Sequence, residues 1–99
     1  IIHAHGGGFV ALSSSTMQNY TRRWSKDLDV PVFSIDYGKP PKHTFPEPVY
    51  HTFAVYKFIT TQLYKHCNII PNKIVLAGDS AGCNLLLSAY SLAIKSQLP

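Results

Sequence analysis

Cysteine is scarce in this sequence. Its two cysteines, Cys67 and Cys83, are too few for a disulfide framework and fit no zinc-ligand spacing. They read as free thiols of a protein in a reducing compartment such as the cytoplasm. Acidic residues are also few: five Asp and Glu against nine Lys and Arg, for a formal net charge of +4. The positive residues are scattered, and Arg22–Arg23 is their only adjacent pair. A nucleic-acid-binding domain concentrates such charge on one element, so no nucleic-acid partner is expected. The charge supports no more than a weak attraction to an anionic membrane or lipid-droplet surface. No apolar run reaches the roughly 18 residues that a membrane span needs. No initiator Met stands at position 1, and Ile1 opens an apolar segment. The sequence therefore reads as a fragment, with any targeting signal elsewhere.

The composition is otherwise that of a folded chain, 45% hydrophobic and 12% aromatic in 99 residues. Ile1–His5 is short and apolar and runs into Gly6-Gly7-Gly8, which predicts a buried strand ending in a glycine turn. Ser13–Thr16 is rich in helix-capping residues. After it Met17, Tyr20, Trp24 and Leu28 recur at helical spacing, predicting a helix over 16–28. A second strand is expected from Val30 to Asp36. The prolines between 37 and 48 predict an ordered, turning loop. Val49, Phe53, Tyr56, Thr60 and Leu63 mark one face of a helix reaching about His66. A third strand is expected over Lys73–Ala77. The last element, Ala81–Lys95, is apolar almost all round and predicts a helix buried on most sides. Alternating strands and helices imply an α/β fold with a parallel sheet and right-handed crossovers. Three strands and three helices are few for such a sheet, so this piece is expected to be marginal alone.

Two motifs carry chemistry. Gly78-Asp79-Ser80-Ala81-Gly82 fits G-x-S-x-G between a predicted strand and a predicted helix. A sharp turn there lifts the Ser80 hydroxyl above the sheet, and small residues at 78 and 82 let strand and helix close around it. The free N–H groups of the helix start favour developing negative charge. The alternative is a tight turn with a helix-capping serine. The second motif is His5-Gly6-Gly7-Gly8-Phe9. Consecutive glycines after a strand let backbone N–H groups approach a ligand closely. The backbone N–H groups of Gly7, Gly8 and Ala81 are the expected donors to a tetrahedral oxyanion. A phosphate-binding loop is disfavoured, because neither glycine-rich nucleotide fingerprint is present. Together the motifs are far more specific than either alone. Both follow predicted strands, at the sheet end where ligands bind.

In these motifs the sequence resembles the hormone-sensitive-lipase family of α/β-hydrolases, over essentially its whole length. The resemblance is carried by His5–Phe9, Ser34-Ile35-Asp36-Tyr37, Phe45-Pro46, and Gly78–Gly82 with Asn84-Leu85 after it. It implies a partial α/β-hydrolase fold: strands three, four and five of a larger mostly parallel sheet, with strands three and five adjacent. Residues 1–99 would then be one piece of a single catalytic domain. It implies Ser80 as the nucleophile, Gly7, Gly8 and Ala81 as the oxyanion donors, and support from His5, Gly6, Gly78, Asp79 and Gly82. His5 would shape the glycine loop and not act as the base. The implied activity is hydrolysis of a carboxylic ester or acylglycerol through an acyl-enzyme, with no metal or organic cofactor. Two departures stand out. Lys42 stands where the family has a glutamate after the fourth strand, and Cys83 replaces a common glycine. Cys83 is expected to be a small buried packing residue; the alternative is a thiol that sensitises the site.

After Ser80 there are 19 residues, and none is Asp, Glu or His. In this family the acid and the base follow the serine. The expectation is therefore a piece holding the nucleophile and oxyanion half of the machinery, without useful turnover alone. Two other functions fit the same motifs. One is a small-molecule receptor, as in the plant gibberellin receptor, which keeps the fold and loses the base. The other is a pseudoenzyme scaffold. The sequence leaves oligomeric state open.

Overall fold

The computed structural model describes residues 1–8, 12–39 and 42–97. Phe9, Pro40 and Pro41, which belong to the motif and loop discussed above, lie outside the described residues. Three short strands, β1 (Ile2–Ala4), β2 (Phe33–Ile35) and β3 (Leu76–Gly78), form a parallel sheet in the order β2-β1-β3. Ile2 lies opposite Phe33 on one side and Leu76 on the other, and Ala4 opposite Ile35 and Gly78. The helices are α1 (Gln18–Leu28), α2 (Glu47–Thr61), α3 (Leu63–Cys67) and α4 (Ala81–Lys95).

The topology follows from handedness. The chain moves from β1 to β2 in one lateral direction, then back past β1 to β3. Right-handed crossovers place the connecting helices of these two moves on opposite faces. On one face His3 meets Tyr20 and Trp24 of α1 in edge-on ring contacts, with centroids 5.4 and 5.8 Å away. The Tyr20 hydroxyl lies 2.9 Å from His3 Nε2. Alternation along β1 turns Ile2 and Ala4 to the other face. There they join Ile35, Tyr56, Ile59, Leu63, Leu85 and Leu86 in the core beneath α2 and α4.

Several elements differ in detail from the sequence expectation. Pairing in the sheet trims the first strand from Ile1–His5 to Ile2–Ala4 and the second from Val30–Asp36 to Phe33–Ile35. The first helix is preceded by a 3₁₀ turn at Ser14–Met17. Thr16 Oγ accepts the Ser13 N–H at 2.8 Å and donates to the Ser13 carbonyl at 2.6 Å, which tightens this entry. The long helix starts at Glu47, because Pro48 is tolerated in a first turn. It breaks at Gln62 (φ −123°, ψ −10°) into α2 and α3. The hydroxyls of Thr60 and Thr61 donate back to Tyr56 and Lys57 carbonyls at 2.6–3.1 Å, competing with the helical ladder just before the break. β3 lies later than expected, since pairing with Ile2–Ala4 selects Leu76–Gly78. α4 matches its predicted bounds, but Leu87 and Ile94 are exposed, at 61% and 60%, so it is not buried on most sides in this chain. Leu28, expected on the buried face of the first helix, is likewise exposed; Thr21 is the residue α1 buries. Among the described residues, no helix is long and apolar enough to cross a membrane.

Candidate active site

The reversal of chain direction creates the site. β1 and β3 are neighbours, yet the helix packed near β1's exit (α1) and the helix after β3 (α4) lie on opposite faces. The two connections diverge and leave a crevice at the carboxyl ends of the strands, the general ligand position in open α/β sheets. Gly6-Gly7-Gly8 leaves β1 into this crevice, and Asp79-Ser80 leaves β3 into it. The structure thus brings the two sequence motifs together.

Ser80 sits between β3 and α4 with φ 50° and ψ −119°. A side chain at such positive φ is strained by roughly 1–3 kcal/mol, and the surroundings must hold it there. Glycine would relieve the strain, so a serine here calls for a reason other than stability. The turn is fixed by the Gly82 N–H donating to the Asp79 carbonyl at 2.9 Å and the Asn84 N–H to the Ser80 carbonyl at 3.1 Å. Ser80 is exposed. The Ala81 N–H, at the first position of α4, has no acceptor one turn earlier within the helix and is free for an incoming oxygen.

Glycines lock the two motifs. A Cβ on Gly82 would collide with the Ala4 carbonyl of β1, and one on Gly78 would stand 2.8 Å from the same oxygen. A Cβ on Gly6 would stand 2.7 Å from the Asp79 carboxylate. The start of α4 therefore rests on the end of β1 with no side chain between. Gly7 and Gly8 have φ of 124° and 63°, a turn that only glycine enters freely. A Cβ on Gly8 would meet nothing within 4 Å, so its freedom serves conformation and not packing.

His5 is fully buried behind this loop. Its Nδ1 lies 2.6 Å from the Gly6 carbonyl. A carbonyl only accepts, so Nδ1 carries the proton. The peptide that offers this carbonyl also carries the Gly7 N–H, on its opposite edge. Tying the carbonyl inward to His5 turns the Gly7 N–H outward. Tyr37 holds His5 in turn. Its hydroxyl donates to the His5 carbonyl at 2.7 Å, and the two rings stack at 4.4 Å. Burial, aided by the Asp79 and Asp36 charges, pushes the Tyr37 phenol up from its ordinary value and keeps it a donor. Among the described residues the Nε2 of His5 has no hydrogen-bond partner, and it lies 3.8 Å from the Asp36 carboxylate. Burial lowers the pKa of His3, two residues earlier in the chain, against a raising contribution from Asp79 and with a smaller lowering one from His5.

The sequence reading noted Tyr37 only as part of a resemblance; its support of His5 emerges from the stacking. The signal was an aromatic directly after a strand neighbouring the glycine loop. Cys83 is exposed, not a buried packing residue, because position 83 faces away from the β1 contact made by Gly82. Cys67 is exposed too, and both thiols are free. His43, in the loop before α2, meets His51 of α2 with ring centroids 4.9 Å apart. Among the described residues no cluster of His, Cys, Asp and Glu could hold a metal ion.

This architecture has known counterparts. Residues 1–99 match the family model for the alpha/beta hydrolase fold. The chain is 41% identical over 91 residues to the hormone-sensitive lipase of Mus musculus, covering 89% of this chain and 12% of that protein. It is 35% identical over 97 residues to an esterase of Acinetobacter venetianus, covering 98% of this chain and 30% of that one. The solved esterase of Pyrobaculum calidifontis superposes with a TM-score of 0.90 at 33% identity, over 99% of this chain and 32% of the esterase. The chain thus spans well under two thirds of each of these relatives. The chain belongs to the α/β-hydrolase fold family, and within it is similar to hormone-sensitive lipases and esterases.

Proposed function

We propose that the protein carrying this chain hydrolyses carboxylic esters, with Ser80 as its nucleophile. The observation that carries this reading is the strained backbone of Ser80, exposed at the turn whose Asp79 packs against Gly6 of the glycine loop. Ser80 Oγ attacks the ester carbonyl carbon, and the carbonyl π electrons move onto oxygen. The resulting oxyanion is taken by the N–H groups of Gly7, Gly8 and Ala81. Each well-placed donor of this kind lowers the barrier by roughly 3–4 kcal/mol. The Ser80 proton passes to a histidine, and collapse of the intermediate expels the alcohol, which receives that proton. Water then attacks the acyl group on Ser80 by the same route in reverse. No Asp, Glu or His follows Ser80 in this sequence, so in this reading the base and its acid come from elsewhere in the parent protein. His5 is the wrong candidate for the base: it is buried and its Nδ1–H is committed to Gly6.

The substrate class follows from the same geometry: an uncharged ester carbonyl that fits a neutral glycine loop. The weak attraction of a net positive chain for anionic lipid surfaces belongs to this proposal as well. The test is hydrolysis of 4-nitrophenyl butanoate by the full-length protein and by its Ser80→Ala variant. The account expects turnover in the first and a loss of at least a thousandfold in the second. Equal rates would exclude Ser80. No turnover by either would favour a binding protein on the same fold.

A further inference from the structure

The peptide that joins Tyr37 to Gly38 is held at both edges. Its carbonyl accepts from the Lys39 ammonium at 3.2 Å. Its N–H, on Gly38, donates to Nδ1 of His51 in the second turn of α2 at 3.1 Å. A backbone N–H can only donate, so His51 Nδ1 is bare and the ring is neutral, with its proton on Nε2. This bond exists only in the unprotonated ring. A proton on Nδ1 would set two donors against each other.

The surroundings hold this arrangement closed. His51 is half-buried, and the His43 ring meets it edge-on, at an interplanar angle of 83°. A Cβ on Gly38 would collide with the same His43 ring. Position 38 is thus bare because the two histidines close over its backbone. The charged groups facing His51 are few. His43 gives its Nδ1–H to the Glu47 carboxylate at 2.9 Å. Lys39, on the other edge of the peptide, lies 3.5 Å from the Asp36 carboxylate. From α4, the walls between the two helix starts are Asn84 and Leu85, which do not titrate. Among the described residues, both carboxylates of this region are therefore already engaged when His51 takes up a proton.

Tyr37 is the residue that holds His5, through its hydroxyl on the His5 carbonyl at 2.7 Å and the ring stack at 4.4 Å. His5 in turn ties down the Gly6 carbonyl. We propose that His51 is a proton-sensitive positioning residue of the site: its neutral ring fixes the Tyr37–Gly38 peptide, Tyr37 fixes His5, and His5 aims the Gly7 N–H at the oxyanion. Protonation of His51 breaks the first link, so the oxyanion loop loosens in acid while the Ser80 turn keeps its own bonds. The effect on turnover rests on the esterase reading above; the bond from Gly38 to His51 does not. Because the aimed N–H acts on the transition state, loss of the link lowers kcat and leaves KM alone.

The experiment follows hydrolysis of 4-nitrophenyl butanoate by the full-length protein from about pH 8 to about pH 5, where histidine side chains titrate. His51→Asn places an amide oxygen near the position of Nδ1 and does not titrate; His51→Leu offers no acceptor. At the alkaline end His51→Asn should keep kcat within about twofold of wild type. His51→Leu should lower it about tenfold with KM unchanged, because an oxyanion donor is misaimed and not removed. Acid also protonates the base of the parent protein and slows every variant, so the ratio of wild type to His51→Asn is the readout. It should fall at least about fivefold across the range, while the ratio of His51→Leu to His51→Asn stays level. A constant wild-type ratio, a leucine variant as fast as wild type, or an asparagine variant as slow as leucine would each overturn the proposal. The Gly38 amide proton resonance gives a readout that needs neither turnover nor the leucine variant. It should move upfield in wild type as acid removes its acceptor, and hold still in His51→Asn. A resonance that holds still in both would overturn the link itself. Hydrolysis of no ester by a wild type whose Gly38 resonance does move would sink the esterase reading, whereas hydrolysis at a constant ratio sinks the proton-sensitive link alone.

Discussion

Ser80 occupies a backbone region that serine enters only at a cost, and that cost is a prediction. Ser80→Gly removes the steric strain at φ 50°. It also adds about 0.5–1 kcal/mol of chain entropy to the unfolded state. The net expectation is a gain of about 1 kcal/mol in stability together with complete loss of turnover, read by denaturant unfolding and ester hydrolysis on one preparation. A Ser80→Gly protein less stable than wild type would mean that the turn is not strained. His5 acts one bond further back. Without its ring the Gly6 carbonyl is free to rotate, and the Gly7 N–H with it. His5→Ala should lower kcat by about a hundredfold, the scale of one lost oxyanion donor, with KM little changed. A KM effect alone would contradict the positioning role. His3 gives the pH dependence. Burial holds its folded pKa below the ordinary 6.5, so the neutral ring is the form the fold accepts. The unfolded chain binds the proton more readily. Stability is therefore full above pH 6.5 and is lost as pH falls through the lower folded value. Thermal melts between pH 7.5 and 5 should show this slope, and His3→Gln should flatten it.

The elements explain what the sequence could show and what it could not. The order of strands and helices was legible because periodicity changes sharply at glycines and prolines: Gly6, Gly38, Pro71 and Gly78 all stand at boundaries. α4 could be bounded closely because Ser80 stands at its start and apolar residues recur to Ile94, interrupted only by Asn84, Ser88 and Ser91. The break at Gln62 was not legible. Thr60 and Thr61 fit a helix pattern, and only their hydroxyl bonds to the preceding turn reveal the competition. The exposure of Leu87, Ile94 and Cys83 was equally hidden, since hydrophobicity states what a residue prefers and not which neighbours this chain supplies. For the candidate site, the glycine spacing marked the turn at Ser80 and the Gly6–Gly8 loop, which the structure brings together at Gly6 and Asp79. The Tyr37–His5 support was obscure because it joins residues 32 positions apart. The contact of α4 on β1 yields one more prediction. Gly82→Ala puts a methyl group into the Ala4 carbonyl, backbone against backbone, with no side chain able to yield. It should destabilise the protein by about 2–3 kcal/mol, measured by urea unfolding. A neutral substitution would show that β1 and α4 are not in direct contact.

For the whole molecule, function follows from topology. A sheet ordered β2-β1-β3 must send the connections of its two adjacent strands to opposite faces, and the crevice between them is where the Gly6–Gly8 loop and the Ser80 turn meet. Glycine is concentrated there because two chain segments must approach without side chains between them. The same placement accounts for the similarity to solved esterases across nearly the entire chain at only about a third identity. The central claim is that this crevice presents a reactive Ser80. Its most direct measurement is treatment of the full-length protein with a fluorophosphonate, followed by mass spectrometry of the peptide containing Gly78–Gly82. The account predicts a single phosphonyl adduct on Ser80, absent from the Ser80→Ala variant. An unmodified Ser80 in a protein that hydrolyses esters, or an adduct that persists after Ser80→Ala, would contradict it.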